Sequence, residues 1–270
     1  MSLIKGNAKT LFKSRFILAE MVKKNVKSQY RNSVLGIVWT VLNPLLNMAV
    51  LALVFSQLFG RGVINYPVFL LCGNLIFGLM RTTTEHGLIC IEANRDLVTK
   101  VKIPYFVFPV SHLLSALVNF GFSFISLLIV MLVLGTPIRW TILLTIPFLP
   151  SLLMFSLGMA LILCTMYVFF KDTKHLYGVF LTLWTYLTPL FYTVDSLPNI
   201  LQGVMQFNPM YHYVEYFRDI VLGVTNAAGE IVSCVPSLLE TWICYGIGLE
   251  FLLVGILIFN SKSKKFILHL

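Results

Sequence analysis

Two asparagines interrupt an otherwise apolar stretch near the start of the chain. Asn43 and Asn47 lie four residues apart within residues 34–59, and Trp39 precedes Asn43 by the same interval. Because an α-helix turns once every 3.6 residues, side chains spaced by four share one face. Amide groups on such a face either hydrogen-bond to a neighbouring helix or line a path for a hydrophilic molecule. The spacing alone leaves both interpretations open.

A second polar face occurs in residues 175–193, where small, hydroxyl and aromatic residues repeat at intervals of four and three. Its members are Gly178, Thr182, Thr185, Pro189 and Tyr192, with Trp184 and Tyr186 close by. The same two alternatives apply here: packing between helices, or a polar and aromatic path.

Two ionisable residues lie within or next to an apolar stretch, where a charge is costly or marks the membrane surface. Glu250 lies in the middle of the last apolar stretch, where an ionisable group is either functional or a neutral, hydrogen-bonded packing group. Arg31 lies where the first apolar stretch begins. It either anchors that stretch at the membrane surface or binds a phosphate headgroup through both arms of its guanidinium.

The sequence carries no motif for catalysis or nucleotide binding. It contains no GxxxxGK[ST] phosphate loop, no HExxH, no GxSxG and no paired-carboxylate motif. The five cysteines lack metal-ligand spacing and are interpreted as unpaired thiols. We therefore expect no metal, no cofactor bound by this chain and no enzymatic activity, so that energy for any work must come from another chain.

Composition indicates an integral membrane protein. Of the 270 residues, 58% are hydrophobic and only 11% are charged, whereas about a quarter are charged in soluble domains. Nucleic-acid binding is excluded, because it requires basic residues clustered on a soluble face. The first apolar run is too long and starts too late for a cleavable signal peptide, so it is expected to remain in the protein.

The apolar runs predict an all-α protein with six transmembrane helices. The predicted spans are about 34–59, 66–84, 106–134, 141–169, 175–193 and 241–259. Of the 20 Lys and Arg residues, all but Arg61, Arg139 and Arg218 then fall on one side. Because Lys and Arg accumulate on the inner side of membrane proteins, both termini are predicted to be cytoplasmic.

The residues before the first span form a separate unit, residues 1–33, ahead of the transmembrane domain of residues 34–270. Residues 8–32, drawn as a helix, have an apolar side that includes Met21 and an opposite side that includes Lys24. This pattern favours a helix lying at the membrane surface, with its lysines on anionic lipid. The alternative is a solvated basic leader.

Two long connections have helical character. Residues 85–104 predict a short helix that ends before Pro104. Residues 194–240 contain two apolar pieces that are predicted to dip into the outer leaflet, which is tolerated when the backbone is buried against protein. Pro198 starts the first piece. Asn208 caps the second, Pro209 occupies its first helical position, and Gly223 ends it.

The sequence resembles the permease subunit of ABC-2 type exporters for polysaccharides, the group that includes O-antigen and teichoic-acid transporters. The pieces that carry the resemblance occur in the family's order and cover nearly the whole chain. They are YRNSVLGIVWTVLNPLL (30–46), EANRDLVTKVKIP (92–104), VFFKDTKHL (168–176), PLFYTVDSLP (189–198) and NPMYHYVEYFRDIVLG (208–223).

The resemblance implies an N-terminal amphipathic interface helix, six spans and two short re-entrant gate helices between spans five and six. It also implies a homodimer with a channel between protomers, and two copies of a separate ATPase that bind ATP and Mg. The first and fifth spans would line the channel. The candidate channel residues are Trp39, Asn43, Asn47, Phe59, Thr182, Thr185, Tyr186 and Tyr192. The candidate residues for coupling to the ATPase are Glu92, Asn94, Arg95, Asp96 and Leu97. The candidate outer-gate residues are Met210, Tyr211, Tyr213 and Phe217. Glu250 is not expected from the family pattern.

The cargo implied by the resemblance is a lipid-linked polysaccharide of the undecaprenyl-pyrophosphate type, and the location it implies is a bacterial cytoplasmic membrane. Aromatic rings at the candidate channel residues agree with this cargo, because sugars stack their apolar faces on such rings. A small drug or a lipid is the alternative cargo for the same fold. An integral membrane enzyme acting on lipid-linked sugars is a third hypothesis, which the scattered acidic residues oppose.

Overall fold

The computed structural model describes residues 14–29, 36, 38–59, 65–101, 103–194, 197–225, 231–233 and 235–266. Ten α-helices and one short strand pair are present in these ranges. The helices are α1 (Arg15–Gln29), α2 (Val38–Phe59), α3 (Tyr66–Ile89), α4 (Arg95–Lys100), α5 (Val107–Val133), α6 (Thr145–Phe169), α7 (Thr173–Leu187), α8 (Asn199–Met205), α9 (Pro209–Leu222) and α10 (Leu238–Ser263). Single 3₁₀ turns, Glu92–Asn94 and Trp140–Leu144, precede α4 and α6. The strands β1 (Val224–Thr225) and β2 (Ile231–Ser233) pair antiparallel, so the all-α prediction holds apart from this small hairpin.

Helix α3 is the centre of the bundle. It packs against α2, α5, α6, α7 and α9, and residues on all its sides are buried, including Val68, Ile76 and Met80. We call the end of the bundle near α4 and the C-terminus of α10 the base, and the end near α9 the top. A main core runs from α3 to α9, and a second core at the base joins Met21 of α1 to Val98 of α4 and Phe259 of α10.

Four helical segments in the described residues are long and apolar enough to cross a membrane. They are Val38–Ser56, Val107–Val133, Trp140–Phe169 and Leu238–Ser263. Helix α3 forms where the second span is predicted, but its basal third carries Arg81, three threonines and Glu85. Because neighbouring helices surround α3, its surface meets protein more than lipid and polar residues are tolerated there.

The fifth predicted span is shorter than expected. Helix α7 ends at Leu187, and Thr188 adopts an extended conformation with φ −85° and ψ 132°. The cause is Pro189, since a residue that precedes proline is sterically disfavoured in the helical region. A helix of 15 residues extends about 22 Å at 1.5 Å per residue, less than the hydrocarbon core of about 30 Å. The prediction of one continuous helix over 175–193 is therefore wrong, and Tyr192 lies beyond the helix.

Helices α6 and α10 make the closest approach in the bundle, through glycines. A Cβ atom added at Gly248 would lie 2.5 Å from the carbonyl oxygen of Ser151, and one added at Gly158 would lie 2.3 Å from the backbone of Phe251. Small residues that let two backbones approach are typical of helix pairs in membranes. This contact fixes α10 along α6.

The segment at the top follows the sequence signals closely. The side chain of Asn208 accepts a hydrogen bond from the amide of Met210, Pro209 is the first residue of α9, and Gly223 ends the helix with φ 91°. Helix α8 begins directly after Pro198. The predicted start of the first short helix at Pro198 and the predicted caps of the second are confirmed.

Candidate functional site

A cleft of about 440 Å³ opens between α2, α3 and α5. Its walls are apolar except for six side chains that carry amide or hydroxyl groups. These are Asn43 and Asn47 of α2, Asn74 and Thr82 of α3, and Asn119 and Ser123 of α5. Among the residues that line this cleft, none carries a charge.

Each helix contributes its polar residues at a spacing of four or eight, so that they line one face. Pro44 lies between the two asparagines of α2 and also lines the cleft. A hydrogen bond of 3.0 Å from the Ser126 hydroxyl to the Val41 carbonyl holds α2 against α5. The position of Asn43 and Asn47 is therefore fixed by the packing of α2 as well as by their own helix.

The amides of the cleft are only partly engaged. Asn74 donates to the carbonyl of Leu70 in its own helix, at 2.9 Å. Asn119 donates to the side-chain oxygen of Gln29 in α1, at 2.9 Å, while its own Oδ1 is buried without a partner in the described structure. Amides and hydroxyls offer both donors and acceptors without net charge. The cleft is thus suited to a neutral, hydroxyl-rich molecule held by weak, replaceable hydrogen bonds.

The structure brings some of the predicted channel residues together and separates others. Asn43 and Asn47 line the cleft, and Trp39 lies half-buried one turn nearer the base. The backbone of Phe59 ends α2, and its side chain is outside the described structure. None of the four residues predicted from the fifth span lines this cleft.

Those four residues lie along and just beyond α7. Thr182 and Thr185 donate back to carbonyls of their own helix, those of Gly178 and Leu181. Tyr186 is exposed, and the hydroxyl of Tyr192 donates to the Tyr186 carbonyl at 2.9 Å.

An aromatic cluster joins α2 to the segment after α7. The rings of Phe55 and Phe191 stack with their centroids 5.5 Å apart, and the ring of Tyr186 lies 6.5 Å from that of Phe191. The hydroxyl of Tyr66 donates to the Phe191 carbonyl at 2.7 Å. Helix α2 therefore contacts the segment after α7 through aromatic rings at the top of the bundle.

Comparison with known proteins identifies the family. Residues 18–222 match the model of the ABC-2 type transporter family. The chain belongs to the ABC-2 type transporter family.

Named relatives agree with this assignment. The chain is 31% identical over 212 residues to the O-antigen export system permease protein RfbA of Myxococcus xanthus, covering 78% of this chain and 82% of the relative. It is 25% identical over 252 residues to the Klebsiella pneumoniae protein of that name, covering 93% of each. It is also 22% identical over 202 residues to the polysialic acid transport protein KpsM of Escherichia coli, covering 74% of this chain and 78% of the relative.

Within this ABC-2 chain, the candidate coupling residues separate into two groups. Glu92 forms an ion pair of 3.0 Å with Lys171 of the loop between α6 and α7, and the side chain of Asn94 donates to the carbonyl of Cys90. Hydrogen bonding from the Tyr167 hydroxyl, with the nearby Lys171 cation, lowers the pKa of the Glu92 carboxyl. Both residues thus fasten the loop to the rest of the chain.

The other three coupling candidates point outward from the ABC-2 chain. Arg95, Asp96 and Leu97 are exposed on α4, while Val98 is buried in the basal core. Helix α4 therefore presents these three side chains to solvent and is held by Val98.

Three of the four outer-gate candidates are fully buried. Met210, Tyr213 and Phe217 have no exposed surface, and Tyr211 is half-buried. The Tyr213 hydroxyl donates to the carbonyl of Cys244 in α10 at 2.7 Å. Because these side chains lie in the core of the protomer, a gating role stays a prediction that requires α9 to move as a body.

A buried arginine that the sequence analysis did not select fixes α9 to α3. Arg218 is 3% exposed, its guanidinium lies 3.4 Å from the ring centroid of Phe69, and it donates to the carbonyl of Leu190 at 3.1 Å. It also pairs with Glu215 at 3.3 Å. Its position on the same face of α9 as Val214 and Val221 was the only sequence signal.

The remaining predicted residues do not join the cleft. Arg31 lies outside the described residues. Glu250 is exposed on the side of α10 that faces away from α6. The described cysteines, Cys72, Cys90, Cys164 and Cys244, are free and buried, and the described residues hold no group of ligands for a metal ion.

Sequence reasoning missed four polar residues of the cleft: Asn74, Thr82, Asn119 and Ser123. The signal was present in the sequence. Asn74 and Thr82 are eight residues apart and Asn119 and Ser123 are four apart, each pair within one apolar helix, like the asparagines of α2. The missing information was which helices face α2.

Proposed function

We propose that this chain is the membrane-spanning permease subunit of an ATP-driven exporter that moves a lipid-linked polysaccharide across the cytoplasmic membrane. The observation that carries the proposal is the similarity, over most of the chain, to proteins named for O-antigen export and polysialic acid transport. These names favour a polysaccharide over a small drug or a lipid as cargo.

The cleft supports a hydrophilic cargo. Six uncharged polar side chains line it, and polar groups at membrane depth are costly unless they pair with something. A sugar chain offers hydroxyl groups that act as donor and acceptor at every residue. Binding through separate, weak hydrogen bonds suits a polymer that must also leave.

The channel itself forms between two copies of the chain in this proposal. Helix α2 exposes Val50 and Leu53, and α7 exposes Leu176 and Val179. These surfaces are apolar, as an interface within a membrane requires. In the dimer, the two α2 helices and the two α7 helices lie beside the sugar chain, with the re-entrant helices α8 and α9 at its outer end.

The energy for transport comes from a separate ATPase in two copies, which binds ATP and Mg. Arg95, Asp96 and Leu97 of α4 contact this ATPase at the cytoplasmic face. Movement of α4 passes to the bundle through Val98 and the basal core, and through the ion pair between Glu92 and Lys171. Six membrane crossings, with both termini cytoplasmic, complete this arrangement; the fifth consists of α7 and the non-helical residues that follow it.

Deletion of the gene tests the proposed function. We expect loss of a surface polysaccharide together with accumulation of its lipid-linked precursor inside the cell, both reversed by the wild-type gene on a plasmid. Extraction of surface glycan and of lipid-linked intermediates measures the two effects. A deletion strain with unchanged surface glycan and unchanged precursor would exclude this function.

A further inference from the structure

A second, smaller pocket of about 90 Å³ lies where α1 crosses α3 and α5 at the base. Two histidines dominate it: His86 of α3 and His112 of α5, whose rings are 5.8 Å apart and nearly parallel at 17°. The other polar residues of the lining come from all three helices. They are Asn25, Ser28 and Gln29 of α1, Thr82 of α3 and Ser115 of α5.

Several polar groups of this pocket lack a protein partner. The Nδ2 atom of Asn25 is buried and makes no hydrogen bond within the described structure. No hydrogen bond to either imidazole occurs among the described residues, and the two rings contact each other; His86 is exposed and His112 is half-buried. Buried polar atoms are usually paired, so the unpaired Nδ2 of Asn25 indicates a bound molecule or solvent, and both imidazoles are available to it.

The pocket adjoins the cleft. Thr82 and Ala116 line both cavities, and Gln29 bonds to Asn119 at the junction between them. A molecule in the pocket would therefore lie next to the polar groups of the cleft.

The surroundings of the pocket favour an anion. Lys23, Lys24 and Lys27 of α1 are exposed beside it in sequence, and no carboxylate lines it. Imidazole N–H groups and an asparagine amide are hydrogen-bond donors, and hydrogen bonds to an ionised phosphate oxygen are stronger than those between neutral groups. A volume of about 90 Å³ holds a compact group and excludes a sugar chain.

We propose that His86, His112 and Asn25 bind the phosphate group of a lipid-linked ligand at the base of α3. The sugars next to that phosphate then lie along Asn119, Asn43 and Asn47 in the cleft. The identity of the ligand as a lipid-linked glycan rests on the proposed function, whereas the anion site rests on the pocket alone.

The test measures binding to the purified full-length chain in lipid nanodiscs, with undecaprenyl diphosphate, undecaprenol and inorganic diphosphate as probes. We expect undecaprenyl diphosphate to bind at least about tenfold more tightly than undecaprenol, as the loss of one charge-assisted hydrogen bond predicts. Inorganic diphosphate is expected to bind more weakly than the diphosphate lipid. Equal affinity for the two diphosphates would overturn a lipid-linked ligand in favour of a free anion.

Substitutions in the pocket test whether the ligand binds there rather than elsewhere on the molecule. His86→Gln and His112→Gln should each weaken binding of undecaprenyl diphosphate by about tenfold and leave undecaprenol binding unchanged. Asn25→Asp, which keeps the side-chain shape and adds a negative charge, should do the same. The matched control is His175→Gln, since His175 is exposed at the start of α7. Size-exclusion and thermal-unfolding profiles equal to those of the wild type confirm that each variant is folded.

Unchanged affinity in all three pocket variants would overturn the anion site. The result is independent of the export test. Pocket-dependent binding in a chain whose deletion spares surface polysaccharide would retain the site and remove the proposed function. Loss of polysaccharide on deletion, with no effect of the pocket variants on binding, would support the proposed function and exclude the anion site.

Discussion

Single polar residues in apolar helices define the cleft of this chain. Asn43 and Asn47 were visible in the sequence because charged and amide groups are rare in such runs. A polar group that is shielded from water without a partner costs about 1–3 kcal/mol. In the structure, both side chains are exposed and line a cleft shared with Asn74 and Asn119 rather than a dry helix contact.

Replacing the cleft asparagines should impair export without unfolding the protein. Asn43→Leu and Asn47→Leu keep the side-chain size and remove the amide. We expect each to lower polysaccharide export by roughly fivefold, since a net hydrogen bond contributes about 1 kcal/mol. Export is measured as surface glycan in the complemented deletion strain.

The matched control for these variants is Leu46→Ala, since Leu46 is exposed on the same helix and does not line the cleft. Leu46→Ala should leave export near the wild-type level. Wild-type export in both asparagine variants would mean that these amides only pack helices together.

At the scale of helices, some elements are held by close packing and others are exposed to solvent. Helices α6 and α10 approach through glycines, whereas α4 contributes one buried residue and otherwise faces solvent. The first pair provides a rigid part of the bundle. The second is accessible to a partner.

A single methyl group tests the α6–α10 contact. In Gly248→Ala, the new Cβ would lie 2.5 Å from the Ser151 carbonyl oxygen, so one backbone must move. We expect destabilisation by about 1–3 kcal/mol, the usual cost of overpacking, seen as a lower unfolding temperature in detergent. In Gly246→Ala, on the same helix, the new Cβ meets no atom within 4 Å. Equal unfolding temperatures for the two variants would show that the helices are further apart than described.

Substitutions at two adjacent residues of α4 distinguish an effect on partner binding from an effect on folding. Leu97→Asp changes an exposed side chain, so it should reduce co-purification of the ATPase and leave the unfolding temperature of the permease unchanged. Val98→Ala removes buried methyl groups from the basal core and should destabilise the permease by about 1–2 kcal/mol. Full ATPase recovery with Leu97→Asp would exclude this face of α4 as the docking surface.

For the molecule as a whole, sequence signals predicted those elements whose ends depend on local chemistry. Asn208, Pro209 and Gly223 marked α9 correctly because caps act within a few residues. The fifth span was extended too far, since its apolar composition continues past Pro189 while its backbone does not.

Long-range packing accounts for what the sequence analysis missed. Helix α3 carries polar residues because other helices cover it. A hydropathy profile gives no information about those neighbouring helices. Similarly, Glu92 and Leu97 look equivalent in the sequence, yet one is paired with Lys171 and the other is exposed. Only the folded chain distinguishes a residue that holds the loop from one that is free to meet a partner.

The orientation of the whole molecule can be tested by cysteine labelling, because the described native thiols are buried. Cys234 lies outside the described residues and is changed to serine in the background chain. Gly203 of α8 and Thr99 of α4 are exposed at opposite ends of the bundle. A membrane-impermeant maleimide should label Gly203→Cys in intact cells, and Thr99→Cys only after the membrane is opened. The background chain should remain unlabelled in both conditions. Labelling of Thr99→Cys in intact cells would place α4 outside the cytoplasm, and a cytoplasmic ATPase would then be unable to reach it.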